Sequence, residues 1–406
     1  MQVLWHSGKS EIVITSHQKS VVSEYSVLMP YLEINNKLLG PFGKFEWLLW
    51  GLSVILTLIG ITLIYSATAS LGGQEKTFVF KQLAWFCLSL VMLTALVLFD
   101  YKFFEQWAYW IFFAVIIALV VVWAIGRVTA GSRRWIDLGL MRFQPSEFAK
   151  LAVVLAVSKC LSEKFGSQSI EIVDLGKPAV IILLPALLVL VQPDLGTAIV
   201  TVLIGGSVVL FAGPGRRVLA WIFGGTILLS IVLYFFGGKI LLDYQKKRIA
   251  TFLNPDYDPL GSGYHIIQSQ IAIGSGGLSG QGFMQGAQNQ LMFLPVKHTD
   301  FIFTILAEEF GFIGCLLVLS LFAAYLFRGL SIAQKSRDAF GALVSFGCIS
   351  IIFWHVTINV GMVMGLLPVV GVPLNFMSYG GSSLLCSFII TALVANVKMR
   401  RFGYEV

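Results

Sequence analysis

Charge is what this 406-residue chain has least of: only 12% of its residues are Asp, Glu, Lys or Arg, against 57% hydrophobic, and the mean hydropathy is +0.84. A composition so evenly apolar excludes a pair of soluble domains. Cysteine is sparse too. The five, Cys87, Cys160, Cys315, Cys348 and Cys386, are scattered through apolar stretches with no CxxC pair among them. An odd, dispersed set argues against disulfides or zinc and for small packing residues. The segment before Glu46 lacks a basic region followed by an apolar core and a small-residue cleavage site, so the first span is expected to serve as its own insertion signal. No repeat of 20–50 residues and no low-complexity tract is visible.

What is present is a series of long apolar runs. Trp47 to Ala67 carries no charge and is long enough to cross a hydrocarbon core of about 30 Å at about 1.5 Å per residue. Similar runs recur, giving expected spans at 46–68, 79–99, 107–125, 145–161, 178–193, 196–212, 218–238, 302–327, 340–364 and 380–398. The expected fold is an all-α polytopic membrane protein of about ten transmembrane helices: a tail over 1–45, a membrane domain over 46–398 with a large outer loop at 239–301, and a short tail over 399–406. The tail at 1–45 is open to disorder or a surface helix. Lys and Arg concentrate on the side of the N-terminus, so both termini are expected in the cytoplasm. The net charge of +7 sits in membrane-flanking loops rather than in one stripe interleaved with aromatics, so it reads as topology and affinity for anionic lipid, with no nucleic acid partner.

One short loop breaks the charge rule. Gly131-Ser-Arg-Arg-Trp-Ile-Asp-Leu-Gly139 carries Arg133 and Arg134 to the outer side, with Arg142 just beyond. These arginines either meet lipid phosphates and Asp137 or form an anion site, since guanidinium matches phosphate oxygens bidentately. The seventh loop holds eight glycines between Gly261 and Gly286. Neither GxGxxG nor a P-loop fits the run and no strand precedes it, which excludes nucleotide binding on that ground. Its apolar patches, Ile266 to Ile273 and Leu291 to Pro295, are too short to span and read as half-helices or re-entrant segments. With few anchoring side chains, the glycine run is expected to move.

Polar residues at membrane depth are costly and each is a candidate for function. Glu147 and Lys150 are three apart on one helix face, which suits a local ion pair. Asp194, after Pro193, suits an N-cap for the sixth span. Asp300 stands beside Lys297 and His298 at the start of a helix, where capping, catalysis, proton transfer and metal ligation are all open. A Ser-His-Asp triad is not expected, since no nucleophile elbow is present. Glu308 and Glu309 lie about two turns further in.

The runs GSRRWIDLG with FQPSEFAK, QPDLGTA, NPDYDPLGSGYHIIQSQIAIGSGGLSGQG, FLPVKHTDFIFTILAEEFGFIG and GLLPVVGVPLNFMSYGGSS resemble, in order, the motifs of the SEDS family (shape, elongation, division and sporulation). DPLGSGYHIIQS and GVPLNF are closer to its RodA branch than to FtsW, although Asn375 stands where a proline is usual. The resemblance implies a peptidoglycan glycosyltransferase that polymerises lipid II during elongation on the outer face of the inner membrane, releasing undecaprenyl pyrophosphate. It implies a class B penicillin-binding protein and other elongation-complex membrane proteins as partners. The family's essential acidic residue falls on Asp300, as base or as ligand of a divalent cation (Mg or Mn). The substrate contacts expected around it are Arg133 and Arg134 at the departing phosphates, with Lys150, Glu147, Lys297 and His298. Competing expectations are a lipid II flippase, with Glu147, Lys150 and Glu308 lining a headgroup path, an FtsW-like division polymerase, and a membrane scaffold for the synthase partner.

Overall fold

The computed structural model describes residues 4–6, 9–11, 45–69, 75–125, 127–129, 132–137, 142–166, 170–258, 261–291, 293 and 298–401. The chain divides into two compact units, Met1–Glu46 and Trp47–Val406. In the first, β1 (Leu4–His6) pairs antiparallel with β2 (Lys9–Glu11); residues 12–44 of the tail, for which disorder or a surface helix was expected, lie outside the described residues.

In the second unit ten helices fall on the ten expected spans: α1 (Trp47–Ala69), α2 (Glu75–Leu98), α3 (Tyr101–Ile125), α4 (Pro145–Ser162), α5 (Gly176–Val191), α6 (Leu195–Phe211), α7 (Arg216–Ile240), α11 (Ile302–Gln334), α12 (Ala339–Val363) and α13 (Gly381–Met399). Among the described residues, seven stretches are long and apolar enough to cross a membrane by length and composition alone. Their ends follow local rules. Pro145 opens α4, where its missing N–H costs nothing. The Asp194 carboxylate caps α6 by accepting from Thr197 N, and Asp338 caps α12 by accepting from Gly341 N.

Burial is uneven. α4, α12 and α13 are enclosed along most of their length, whereas α2, α3 and α7 turn Phe80 (73% exposed), Trp110 (69%) and Phe235 (72%) outward. Apolar area left in water forgoes about 25 cal/mol per Å², so such faces belong in hydrocarbon.

The loop after α3 is an antiparallel ribbon of β3 (Arg127–Thr129), β4 (Ser132–Asp137) and β5 (Arg142–Phe143), with Val128 opposite Arg133 and Ile136 opposite Phe143. The loop between α7 and α11 holds α8 (Asp243–Leu253), α9 (Ser262–Gly276) and the single turn α10 (Ala287–Gln290). α9 contains the expected half-helix; most of 291–295 lies outside the described residues.

The glycine run is anchored, contrary to the expectation of a loose segment, and the reason is a break in α11. Gly311 takes φ +64 inside that helix, which detaches two carbonyls and two N–H groups from the helical ladder. The loop backbone satisfies all four: Gln281 N donates to Glu308 O (2.9 Å), Gly282 N to Glu309 O (3.0 Å), Phe312 N to Gly277 O (2.9 Å) and Ile313 N to Leu278 O (3.1 Å). Such close apposition needs glycine, because a Cβ at Gly280 would stand 2.1 Å from Glu309 O and one at Gly276 2.0 Å from Ala307 O. Here the glycines serve packing, with backbone replacing side-chain anchors.

Candidate active site

Asp300 lies in the turn 298–301, ahead of the first residue of α11 and outside the spanning segment. The N-cap of α11 is Phe301 and no side chain caps the helix. Capping therefore does not account for the Asp300 carboxylate.

What holds the turn is its backbone. Three successive carbonyls each receive a donor: Tyr379 N donates to His298 O (2.9 Å), Ser378 Oγ to Thr299 O (2.6 Å) and Asn359 Nδ2 to Asp300 O (2.8 Å). Asn359 Nδ2 also donates to Val372 O (2.7 Å), and Ser378 Oγ accepts from Leu374 N (2.8 Å). The 298–301 turn and the 370–380 loop are thus one hydrogen-bonded body standing on α12. At Gly371 (φ +71) a Cβ would sit 3.2 Å from Asp300 Oδ2, so the glycine both permits the left-handed backbone and leaves the carboxylate room. Asp300 keeps some accessible surface although protein surrounds it densely. Burial pushes it up to about 6, with Asp194 adding to the push; a hydrogen bond from Thr299 and the charges of Arg134 and Arg248 pull the other way.

Those two arginines come from β4 in the ribbon after α3 and from α8. Arg134 Nη2 donates to Pro193 O at 2.7 Å and Nη1 lies 3.4 Å from Asp194 Oδ2. Its Nε is buried without an acceptor among the described residues, and so is Arg248 Nη1. Burial lowers the Arg248 guanidinium from its ordinary value, Arg134 adds to this, and Asp194 and Asp300 oppose it; a guanidinium stays charged throughout the neutral range. Gly196 brings the Asp194 cap onto the same loop, for a Cβ there would stand 2.4 Å from Val370 O. The result is two carboxylates, Asp300 and Asp194, and two cations that act on each other, with one N–H group of each guanidinium facing no acceptor among the described residues. A buried donor left unmet costs about 1–3 kcal/mol, a cost that an anionic ligand removes.

The other expected contacts are distributed differently. Lys297, and the side chain of Arg133 in β4, lie outside the described residues. His298 packs its ring against Phe78 (centroids 5.1 Å) and Tyr379 (5.6 Å), so it braces the turn on α2. Glu147 and Lys150 form the local ion pair, Nζ to Oε1 2.8 Å, but both are almost fully buried, and Lys150 Nζ also lies 2.7 Å from His355 Nε2. His355 Nδ1 stands 3.0 Å from Pro373 O, an acceptor only; Nδ1 therefore donates, and Nε2 accepts from the ammonium. This neutral-His relay props up the 370–380 loop from beneath. Glu147 and Lys150, expected among the substrate contacts, are in this structure buried and engaged with each other and with His355. Lys150→Met should lower stability by about 3–5 kcal/mol because it strands a buried carboxylate; a thermal shift of the purified variant reads this.

Arg248, His355, Asn359 and Gly371 were not singled out by the sequence. Arg248 had a signal, since Lys246-Lys247-Arg248 places three cations in the loop between α7 and α11. His355 and Asn359, four apart in an otherwise apolar span, are polar at membrane depth just as the acids are. Gly371 had none, because its φ appears only in the folded backbone.

A carboxyl that titrates near 6 sets a pH dependence. If Asp300 works as the anion, activity is low below pH 6, where the carboxyl holds its proton, and rises to a plateau above it, about two units higher than an unperturbed Asp allows. The pH profile of kcat/KM checks this; a limb near 4 rules out the buried environment described.

The family profile described as a cell cycle protein, FtsW/RodA/SpoVE, matches residues 46–402. The peptidoglycan glycosyltransferase MrdB of Escherichia coli (strain K12) is 41% identical over 356 residues, covering 86% of this chain and 93% of that protein. Among solved structures, one reported as showing structural coordination of polymerization and crosslinking by a peptidoglycan synthase complex superposes with a TM-score of 0.74 at 28% identity, covering 88% of this chain and 99% of the other. The rod shape determining protein RodA of Thermus thermophilus gives 0.65 at 27% identity, covering 88% and 98%.

Proposed function

This chain belongs to the FtsW/RodA/SpoVE family, the SEDS family of the sequence resemblance, and is a membrane-embedded peptidoglycan glycosyltransferase; we propose that Asp300 is its general base and that Arg134 and Arg248 receive the leaving pyrophosphate. The substrate is lipid II, met from the outer face of the cytoplasmic membrane, with both termini in the cytoplasm. The observation that carries this reading is the pairing of an uncapped, backbone-anchored carboxylate with two buried guanidinium N–H groups that have no described acceptor.

The chemistry follows from those groups. A sugar hydroxyl of one lipid-linked disaccharide gives its proton to the Asp300 carboxylate as its oxygen bonds to the anomeric carbon of a second. The bond from that carbon to the pyrophosphate oxygen breaks, and the undecaprenyl pyrophosphate departs with the electron pair. Inversion at carbon follows from a single displacement. A base titrating near neutral pH is matched to this transfer. The phosphate charge develops toward Arg134 and Arg248, whose fixed N–H groups need no reorganisation, so a second carboxylic acid of the kind used in glycoside hydrolysis is dispensable.

A divalent cation on Asp300 was the other expected role. Among the described residues no three His, Cys, Asp or Glu side chains converge on a metal site. Asp194, the nearby carboxylate, is committed to Thr197 and Arg134. This donor set, flanked by two guanidinium cations, does not fit a protein-held cation. The flippase alternative loses its lining residues as well: Glu147 and Lys150 are paired, and the Glu308 carboxylate accepts from Gln288 N (2.7 Å) and Asn289 N (3.2 Å). A crosslinking partner of the class B penicillin-binding type is supported by the likeness to a chain from the structure reported as coordinating polymerization and crosslinking in a peptidoglycan synthase complex. RodA-like elongation, rather than division, is supported by the relatives named above. The test is purified full-length protein with lipid II: glycan strands are expected, and headgroup translocation across liposomes without polymer overturns the reading.

A further inference from the structure

Much of α2 faces outward, with Phe80 73% and Leu83 39% exposed, yet Gln82 between them is fully buried. A polar side chain at membrane depth is costly, and this one commits both ends of its amide to backbone. Gln82 Nε2 donates to Ser378 O (3.3 Å), and Gln82 Oε1 accepts from Gly380 N (3.3 Å). Phe78, four residues before, and Trp85, three after, share its helix face. The Phe78 ring packs on Tyr379 (centroids 5.2 Å) as well as on His298. At Gly381, the first residue of α13, a Cβ would stand 1.9 Å from Trp85 Cε2.

What Gln82 grips is the strip that holds the catalytic turn. The Ser378 carbonyl and the Tyr379 N–H belong to one trans peptide unit, in which the two groups point in opposite directions. On one side the unit accepts from Gln82; on the other Tyr379 N donates to His298 O (2.9 Å). Ser378 Oγ adds its bond to Thr299 O (2.6 Å), and Gly380 N returns the strip to Gln82. Rotation of that peptide unit breaks the bond to α2 and the bond to His298 together. The amide of Gln82 therefore orients a group that itself orients the turn bearing Asp300.

A buried amide that met any loop backbone would serve stability alone. Here the strip is bonded to Gln82 at residues 378 and 380 and to the catalytic turn at 378 and 379, while Asn359 of α12 holds the Asp300 carbonyl (2.8 Å). The turn is thus gripped directly by α12 and, through the strip, by α2. We propose that Gln82 is a positioning residue of the glycosyl transfer, acting through the 378–380 strip to hold the Asp300 carboxylate within reach of the substrate hydroxyl. The proposal rests on Asp300 as the general base and names the helix that sets its place. Such placement governs rate more than affinity, since a shift of about 1 Å in a reacting group can cost about 10²-fold.

The test uses the purified full-length chain with Gln82→Leu, assayed on lipid II. Expected is a kcat reduced about 10–100-fold with KM within about threefold of wild type. The pH limb of kcat/KM should move down from about 6 toward the ordinary value of roughly 4, since a loosened turn admits water to the carboxyl. Hydrogen exchange over 378–380 should be faster, at the amides of Tyr379 and Gly380. If this variant does not fold, Gln82→Glu takes its place. Protonated, the introduced carboxyl both donates to Ser378 O and accepts from Gly380 N; ionised, it only accepts. Turnover by Gln82→Glu should therefore fall at high pH and give a bell-shaped profile that wild type lacks, and a wild-type profile overturns the proposal. Lower thermal stability of Gln82→Leu with kcat and the limb unchanged marks a purely structural role and overturns it too, as does exchange over 378–380 no faster than in wild type. Turnover by Asp300→Asn overturns instead the base on which the proposal rests, so the two failures are told apart.

Discussion

Asp300→Asn should lower glycan synthesis from lipid II by about 10²–10⁴-fold, the range for loss of a general base, while the protein folds at least as well as wild type. The two halves rest on different atoms. Catalysis needs the carboxylate, whereas the turn is held through the carbonyls of His298, Thr299 and Asp300, which the substitution leaves in place. Stability should move the opposite way from activity. The folded carboxyl titrates at about 6, above the ordinary value of roughly 4. The folded state thus holds the proton more tightly than the unfolded chain, and stability falls as pH rises from about 4 through about 6. Above pH 7 wild type carries a buried charge that the amide avoids. Asp300→Asn should therefore melt higher than wild type at pH 7.5, with the gap closing at pH 4. Wild-type turnover by this variant would remove the base from the mechanism.

Arg248→Gln should reduce kcat by about 10²–10³-fold, comparable to removing one preorganised donor from a site of developing charge, with a smaller change in KM because the charge it meets grows only as the pyrophosphate leaves. Arg134→Gln should match it in kcat and also lower the melting temperature. Arg134 contacts Asp194 and donates to Pro193 O, and its loss leaves that buried carboxylate short of a partner. Lysine at either position restores the charge but not the planar fork, so rescue should be partial. Both arginines hold the Asp300 carboxyl down, so each Gln variant should shift the pH limb above 6. That coupled shift distinguishes electrostatic participation at the site from a purely structural role, which leaves the limb where it is. A kcat for Arg248→Gln within about threefold of wild type would separate it from the leaving group.

The sequence alone carried the ten spans, because a run of uncharged residues long enough to cross hydrocarbon is a local property, and a helix of the membrane unit falls on each. It also carried the ion pair of Glu147 with Lys150 and the Asp194 cap, since both lie within one helical turn. It singled out Asp300 and Arg134 through the expense of charge at the membrane and the charge rule that the outer loop breaks. What it could not carry was contact across distance. Arg248 joins Arg134 from more than a hundred residues away, and His355 and Asn359 acquire meaning only when α12 is seen beneath the 370–380 loop. The glycine run shows the limit most clearly. Composition read it as loose for want of side-chain anchors, but the break at Gly311 exposes backbone groups that only an equally bare backbone can approach closely enough to satisfy. Sequence determined which apolar runs become helices and which acid stands out; the tertiary structure decided what holds that acid and what charge it faces, because those depend on hydrogen bonds and burial between segments that no local pattern records.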